Sequence, residues 1–218
     1  MKKLLLLIIP LLLLTGCNNK DGIRFKEDYE SLNGQTNTSG KEYRTITLPE
    51  DNPFVYATLE DINKLIKHKE TFIVYFGANW CPWCRSLLNT AIDEAKANGI
   101  KKIYYVNVRE GTDEKNDIRD IYSLDENEEV YLSHEGTEAY HKFLEYANNV
   151  LKDYKSHGVE VENTKRVGAP NFILFKDGKA ISLTTGISEN ETDPYMELTD
   201  EIKEDMKNIF DKFYKQYK

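Results

Sequence analysis

Thr71-Phe-Ile-Val-Tyr-Phe-Gly-Ala-Asn-Trp-Cys-Pro-Trp-Cys-Arg85 is the stretch that decides the fold. Phe72 to Phe76 is an aromatic and β-branched run, broken only by Tyr75. That pattern predicts a central strand covered on both faces. Gly77 ends the run. Beyond Arg85, Leu87, Leu88, Ala91, Ile92 and Ala95 recur at helical spacing. Cys81 therefore falls at a helix N-terminus, with Cys84 one turn in on the same side. A helix N-terminus stabilises a thiolate and lowers a thiol pKa from about 8.5 toward roughly 3.5–7.5. Cys81, at the exposed end, is the candidate nucleophile. Cys84 is placed to resolve a mixed disulfide formed on it. Pro82 suits a first helical turn because its missing N–H has no partner to lose there. Trp83 offers an apolar contact to an extended chain.

The same alternation extends outward. Thr58, with Glu60 and Asp61 after it, predicts a capped helix carrying Leu59, Ile62, Leu65 and Ile66 and ending near Lys69. Ile103 to Val108 is a second buried strand. A helix between two apolar strands implies a right-handed βαβ unit with parallel strands. Gly99 is placed to stop the intervening helix. Downstream, Val167 to Leu183 returns to β structure, with Asp177-Gly178 as the hairpin turn. Pro170 cannot donate to a ladder, so it belongs at the start of that strand. Thr199 precedes a last helix whose buried face holds Ile202, Met206, Ile209, Phe210, Phe213 and Tyr217.

Two regions stand outside this frame. Asn18 to Asp51 is polar and turn-rich and reads as a tether, with a short helix at 24–32 and an edge strand within 43–48. Residues 109–165 read as a mainly helical insertion of about fifty residues. In it, Thr112 starts one helix carrying Ile118, Ile121 and Leu124. A second carries Tyr140, Phe143, Leu144, Ala147, Val150, Leu151 and Tyr154 and ends at His157-Gly158, with the acidic run 125–129 as the break. The aromatic stripe is expected to be core. His68, His134, His141 and His157 read as solvated.

With Trp80-Cys81-Pro82-Trp83-Cys84 and Gly168-Ala169-Pro170 in place, the chain resembles the thioredoxin-like fold family over about 58–108 and from 167 onward. The resemblance implies an α/β fold, a central mixed sheet flanked by helices, with the insertion between the second core strand and a cis-proline hairpin. It implies a redox-active Cys81–Cys84 disulfide as the catalytic pair and no separate cofactor. It also implies that Pro170 is cis and faces the pair, and that the backbone of Ala169 pairs with a substrate chain. Trp80, Pro82, Trp83, Ala169 and Pro170 are then the expected substrate groove. More narrowly, the run before Cys-Pro-Trp-Cys-Arg is similar to thioredoxin-like proteins of low-GC Gram-positive bacteria, some described as bacteriocin-transport accessory proteins. One departure matters. Thioredoxin has a buried acid where this chain has Tyr75, a phenol of reference pKa about 10. Proton transfer at Cys84 then falls to water, another carboxylate or no tuned group, and reaction direction stays open.

The N-terminus carries its own reading. Lys2 and Lys3 precede the apolar run 4–14, which is too short to span a bilayer. Leu14-Thr15-Gly16-Cys17 resembles the lipobox of bacterial lipoproteins, in which the cysteine is lipidated and becomes residue one after cleavage. The expected division is a signal peptide over 1–16, a lipidated tether over 17–53 and a thioredoxin-like domain over 54–218. The expected location is the extracytoplasmic face of the cell membrane, held by the lipid anchor. Without Lys2 and Lys3, 27 basic residues face 37 acidic ones, a formal charge of −10, which argues against nucleic acid as a partner. Expected partners are protein thiols and disulfides, plus a membrane or extracellular redox partner. Of three cysteines, lipidation of Cys17 leaves Cys81 and Cys84 alone. A zinc half-site lacks a second Cys or His pair at ligand spacing, so no metal is expected. The rival reading is a non-catalytic accessory or binding factor in peptide or bacteriocin export.

Overall fold

The computed structural model describes residues 20–218. In chain order it has α1 (Lys20–Glu30), β1 (Phe54–Tyr56), α2 (Leu59–Lys67), β2 (Phe72–Gly77), α3 (Pro82–Ala97) and β3 (Ile103–Asn107). A 3₁₀ turn at Glu114–Asn116 leads to β4 (Ile121–Leu124), β5 (Val130–His134), α4 (Glu138–Ala147), β6 (Asp153–Ser156) and β7 (Val159–Lys165). The chain closes with β8 (Asn171–Lys176), β9 (Lys179–Thr184) and α5 (Asp200–Lys215).

Five strands form the main sheet in the order β1-β3-β2-β8-β9. β3 runs parallel to both β1 and β2, whereas β8 is antiparallel to β2 and β9. β2 lies at the centre, and all six of its residues are buried. Alternation along it sorts the two faces. Phe76 meets Phe143 of α4, while Tyr75 packs on Phe172, which in turn meets Phe210 of α5. Helices α3 and α5 share one face, joined where the Tyr214 hydroxyl donates to the Ala91 carbonyl. Helices α2 and α4 cover the other. This is the expected thioredoxin-like, mixed-sheet α/β architecture. Its local signals also behave as read: Thr58 and Asp61 form a reciprocal capping box, and Asp177-Gly178 turns the β8–β9 hairpin with both φ positive. Tyr214 rather than Tyr217 completes the buried face of α5.

The two outer regions differ from their readings. Residues 20–53 are no tether. Helix α1 lies on the α3 face of the sheet, with Phe25 and Tyr29 fully buried; Phe25 stacks on Phe54 at 4.2 Å and meets Tyr105 edge-on at 4.9 Å. Residues 43–48 join no sheet, and the edge strand ahead of α2 is β1 instead. Polar composition misled because one aromatic i, i+4 pair is enough to anchor an eleven-residue helix. The 109–165 insertion is not mainly helical either. It holds one α-helix of ten residues between two β-hairpins, β4–β5 and β6–β7. The 125–129 run is the first hairpin's turn, where the Asp125 carboxylate accepts from the Asn127 and Glu129 N–H groups. His157-Gly158, expected to end a helix, turns the second hairpin with φ of +50° and +85°. The aromatic stripe splits: Tyr140, Phe143 and Ala147 are core, whereas Tyr154 lies on a strand. His134 and His141 are half-buried, the first against the Asp117 carbonyl and the second against Asp120. Among the described residues no helix is long and apolar enough to cross a membrane. Cys17 and the 1–16 segment lie outside the described residues.

Candidate active site

The central strand delivers the chain to the start of α3, and Cys81 is the cap of that helix. Its sulfur accepts the Cys84 N–H at 3.3 Å, taking one of the amides that a helix start leaves unpaired. The Ala169-Pro170 peptide is cis and stands opposite, and the Ala169 carbonyl oxygen is 3.3 Å from Cys81 Sγ. Cys81, Cys84, Ala169 and Pro170 are thus gathered at one point from residues almost ninety positions apart. Both cysteines are thiols here. Cys81 is 4 % exposed and Cys84 fully buried, so the expected exposed end of the pair is covered.

The outer regions meet the motif at Trp80. The Trp80 indole N–H donates to the Arg109 carbonyl at 3.0 Å, and the Arg109 guanidinium lies 4.4 Å above the Trp80 ring. Arg109 is held in turn by Glu114 at 3.6 Å and Asp117 at 3.9 Å. Asp117 is buried and bound by both forks of Arg119 at 2.9 Å. Burial alone would raise its pKa, but the Arg119 hydrogen bonds and charge hold it below the usual carboxylate range. Arg119 also donates to the Val167 carbonyl at 3.2 Å, tying the insertion to the turn that carries Pro170. Trp80 and Pro82 line a cleft of about 330 Å³ shared with Tyr43 and Asn37 on one side and Arg109 and Glu114 on the other. Trp83 is half-buried against the core and does not line that cleft.

Arg85 is the largest missed residue. It is 1 % exposed and has no ion-pair partner among the described residues. Its guanidinium donates instead to the carbonyls of Arg44, Tyr29 and Asn79 and to Asn33 Oδ1, at 2.6–3.1 Å. Asn79 adds a bond from its amide to the Asp28 carbonyl. The residue after the second cysteine therefore staples the N-terminal segment to the catalytic helix. An arginine on the otherwise apolar stripe of α3 was the available signal.

Electrostatically the two sulfurs differ. Burial pushes the Cys81 thiol well up, and its hydrogen bond with Cys84 adds to this, outweighing the helix terminus. Burial also works against ionising Cys84, but hydrogen bonds from Cys81, from the Tyr75 hydroxyl and from the Ala78 N–H bring it below its ordinary value. The Tyr75 hydroxyl lies 3.1 Å from that of Tyr29, which joins the central strand to α1. Among the described residues no three His, Cys, Asp or Glu side chains gather as a metal site.

No protein-family model and no curated protein matches the sequence. Among solved structures, oxidized thioredoxin O2 from Arabidopsis thaliana aligns at 14% identity and TM-score 0.33, covering 63% of this chain and 85% of that one. A thiol:disulfide interchange protein of the thioredoxin family from Chlorobium tepidum TLS aligns at 15% identity and TM-score 0.31, covering 70% and 83%. The fold is thioredoxin-like. These are distant likenesses, and that statement rests on the strand order and directions described above.

Proposed function

We propose that this chain is a thiol–disulfide oxidoreductase anchored through lipidated Cys17 at the extracytoplasmic face of a membrane, acting on protein thiols and disulfides. The observation that carries the chemistry is the meeting of Cys81, Cys84 and the Ala169-Pro170 peptide, with Cys81 Sγ 3.3 Å from both Cys84 N and Ala169 O. In the reducing direction, Cys81 as thiolate attacks one sulfur of a substrate disulfide. A Cys81–substrate bond forms as the substrate S–S bond breaks, and the second substrate sulfur leaves as a thiolate that takes a proton. Cys84 then attacks the Cys81 sulfur, closing Cys81–Cys84 and releasing the first substrate sulfur. The substrate gains two electrons and the pair loses two; a redox partner restores them. Oxidation runs the same steps backwards. The cleft beside Trp80 and Pro82 combines aromatic and polar walls, which suits a peptide segment.

A Cys84→Ala protein is expected to accumulate mixed disulfides through Cys81, resolved by mass spectrometry after acid quenching. Absence of both trapped partners and thiol–disulfide exchange above a Cys81→Ser control refutes the reading. The near-complete enclosure of Cys81 is the one observation that favours a non-catalytic accessory factor instead. Under that reading, a Cys81→Ser/Cys84→Ser protein keeps full biological function.

A further inference from the structure

The cleft beside the dithiol contains a cation whose hydrogen-bonding capacity is unused. Trp80 and Pro82, the two chain neighbours of Cys81, both line it, so a chain that presents a sulfur to Cys81 lies against it. The charged residues lining it are Arg109 and Glu114. A guanidinium carries five N–H donors. Among the described residues, none of those on Arg109 meets an acceptor at hydrogen-bond distance. Its Nε is buried and unpartnered, and the carboxylates of Glu114 and Asp117 stand 3.6 and 3.9 Å away.

The neighbours are committed elsewhere. Both Asp117 oxygens are taken by Arg119, whose Nε and Nη2 each donate at 2.9 Å. The Glu114 side chain is 63 % exposed, and an ion pair so hydrated contributes little. On the facing wall, the Asn37 amide donates to the Tyr195 hydroxyl at 2.7 Å, and its Oδ1 accepts from the Ser39 and Lys41 N–H groups. Arg109 is also held in place before any ligand arrives. Its guanidinium lies 4.4 Å above the Trp80 ring, its carbonyl takes the indole N–H at 3.0 Å, and its own N–H donates to Asn107 Oδ1 at 3.2 Å. Little rotamer entropy is then left to lose on binding. A fixed planar guanidinium suits a carboxylate, which accepts two parallel N–H bonds and neutralises the charge; a lone carbonyl does neither. The chain as a whole is acidic, with 37 Asp and Glu against 29 Lys and Arg, so selection for an anion here is made at contact rather than by a long-range field.

We propose that Arg109 is a specificity-determining residue that receives a carboxylate of the substrate chain, with Glu114 as the intramolecular competitor that gives way. The substrate class is accordingly a peptide with Asp or Glu close to its reacting cysteine. The inference rests on the redox reading of the pair, because that reading brings a substrate chain to Cys81.

The test uses three synthetic peptides, alike except for Glu, Gln or Lys beside a single cysteine, each supplied as its symmetric disulfide. Binding is measured by calorimetry on the full-length Cys81→Ser/Cys84→Ser protein, in which no exchange occurs. The Glu peptide is expected to bind about tenfold tighter than the Gln peptide, with the Lys peptide weakest. Arg109→Gln abolishes that ratio and Arg109→Lys keeps part of it. Glu114→Gln tightens the Glu peptide by about threefold. With both cysteines present, the same ratio appears in KM for disulfide reduction and not in kcat. Equal affinity for the Glu and Gln peptides overturns the proposal, as does a ratio that survives Arg109→Gln. Should Arg109→Gln fail to fold, a Glu-peptide affinity unmoved by Glu114→Gln overturns it instead. Binding in the expected ratio, without exchange once both cysteines are present, refutes the oxidoreductase reading alone. Exchange without the ratio refutes the role of Arg109 alone.

Discussion

The five-stranded sheet and the segments wrapped around it are built on different principles. In the sheet, each strand carries its own instructions: β2 is apolar on both faces, and Asp177-Gly178 turns its hairpin by local conformational preference. The wrapping segments, 20–53 and 109–165, depend on contacts with the sheet. The buried side chains of α1 are Phe25 and Tyr29, and the 109–117 loop is ordered by Trp80, Arg119 and Asp117. Local chemistry built the frame of the site, and long-range polar contacts closed it. The dithiol sits beside that junction, and both cysteines are buried although their motif lies at a helix start.

Substitutions can break this comparison at its hinges. Arg85→Ala leaves the carbonyls of Tyr29, Arg44 and Asn79 without their donor, and at about 1–3 kcal/mol per unsatisfied group the loss should reach about 4 kcal/mol in denaturant unfolding. A cost under about 1 kcal/mol would mean that the N-terminal segment is not stapled to α3. Phe25→Ala removes the ring that stacks on Phe54 and should cost about 3 kcal/mol, with α1 released to early proteolysis. If α1 instead stays protected, the segment folds independently of the sheet.

Asp117→Asn probes the insertion. Loss of the carboxylate leaves Arg119 buried without its counter-charge, an expected cost of about 2–3 kcal/mol at neutral pH. The folded pKa of Asp117 is depressed, so its contribution is fully present above the unfolded value of about 3.9 and disappears as pH falls through the lower folded value. Wild type and Asp117→Asn should therefore keep their gap down to about pH 4 and converge only as pH falls below it, through the folded value; a gap that stays constant through that acid range assigns the cost to packing instead. The smallest effect belongs to the exposed hairpin. Leu132 is 46 % exposed on β5, and Leu132→Ser should change unfolding free energy by no more than about 0.5 kcal/mol. A larger loss would place that face under a partner surface.

Phe72 to Phe76, Thr58 and Asp177-Gly178 were legible because burial on both faces, capping and positive φ each leave a mark within a few residues. Tyr154 and His157-Gly158 were misread because the spacing of Tyr140 to Tyr154 satisfies a helix until the positive-φ turn, whose meaning depends on what pairs across it. Polar segments gave the weakest signal: nothing near Arg109 indicates that its carbonyl would receive the Trp80 indole. Cys81, Cys84 and Pro170 stand out as chemistry, but Tyr75 reads only as a missing acid, since its hydroxyl partner, Tyr29, comes from the polar N-terminal segment.

The α/β alternation, the placement of Cys81 and Cys84 at the start of a helix and the return to β structure after Pro170 are written in the amino-acid sequence, because they follow from periodicity, capping and backbone preference over short range. That Cys81 is enclosed, that Arg85 and Tyr29 join the N-terminal segment to the site and that the Tyr75 hydroxyl meets that of Tyr29 came from the folded arrangement alone. Burial and hydrogen-bond direction are set by groups that meet in space across tens of residues, and no local pattern encodes which oxygen or sulfur a donor will find.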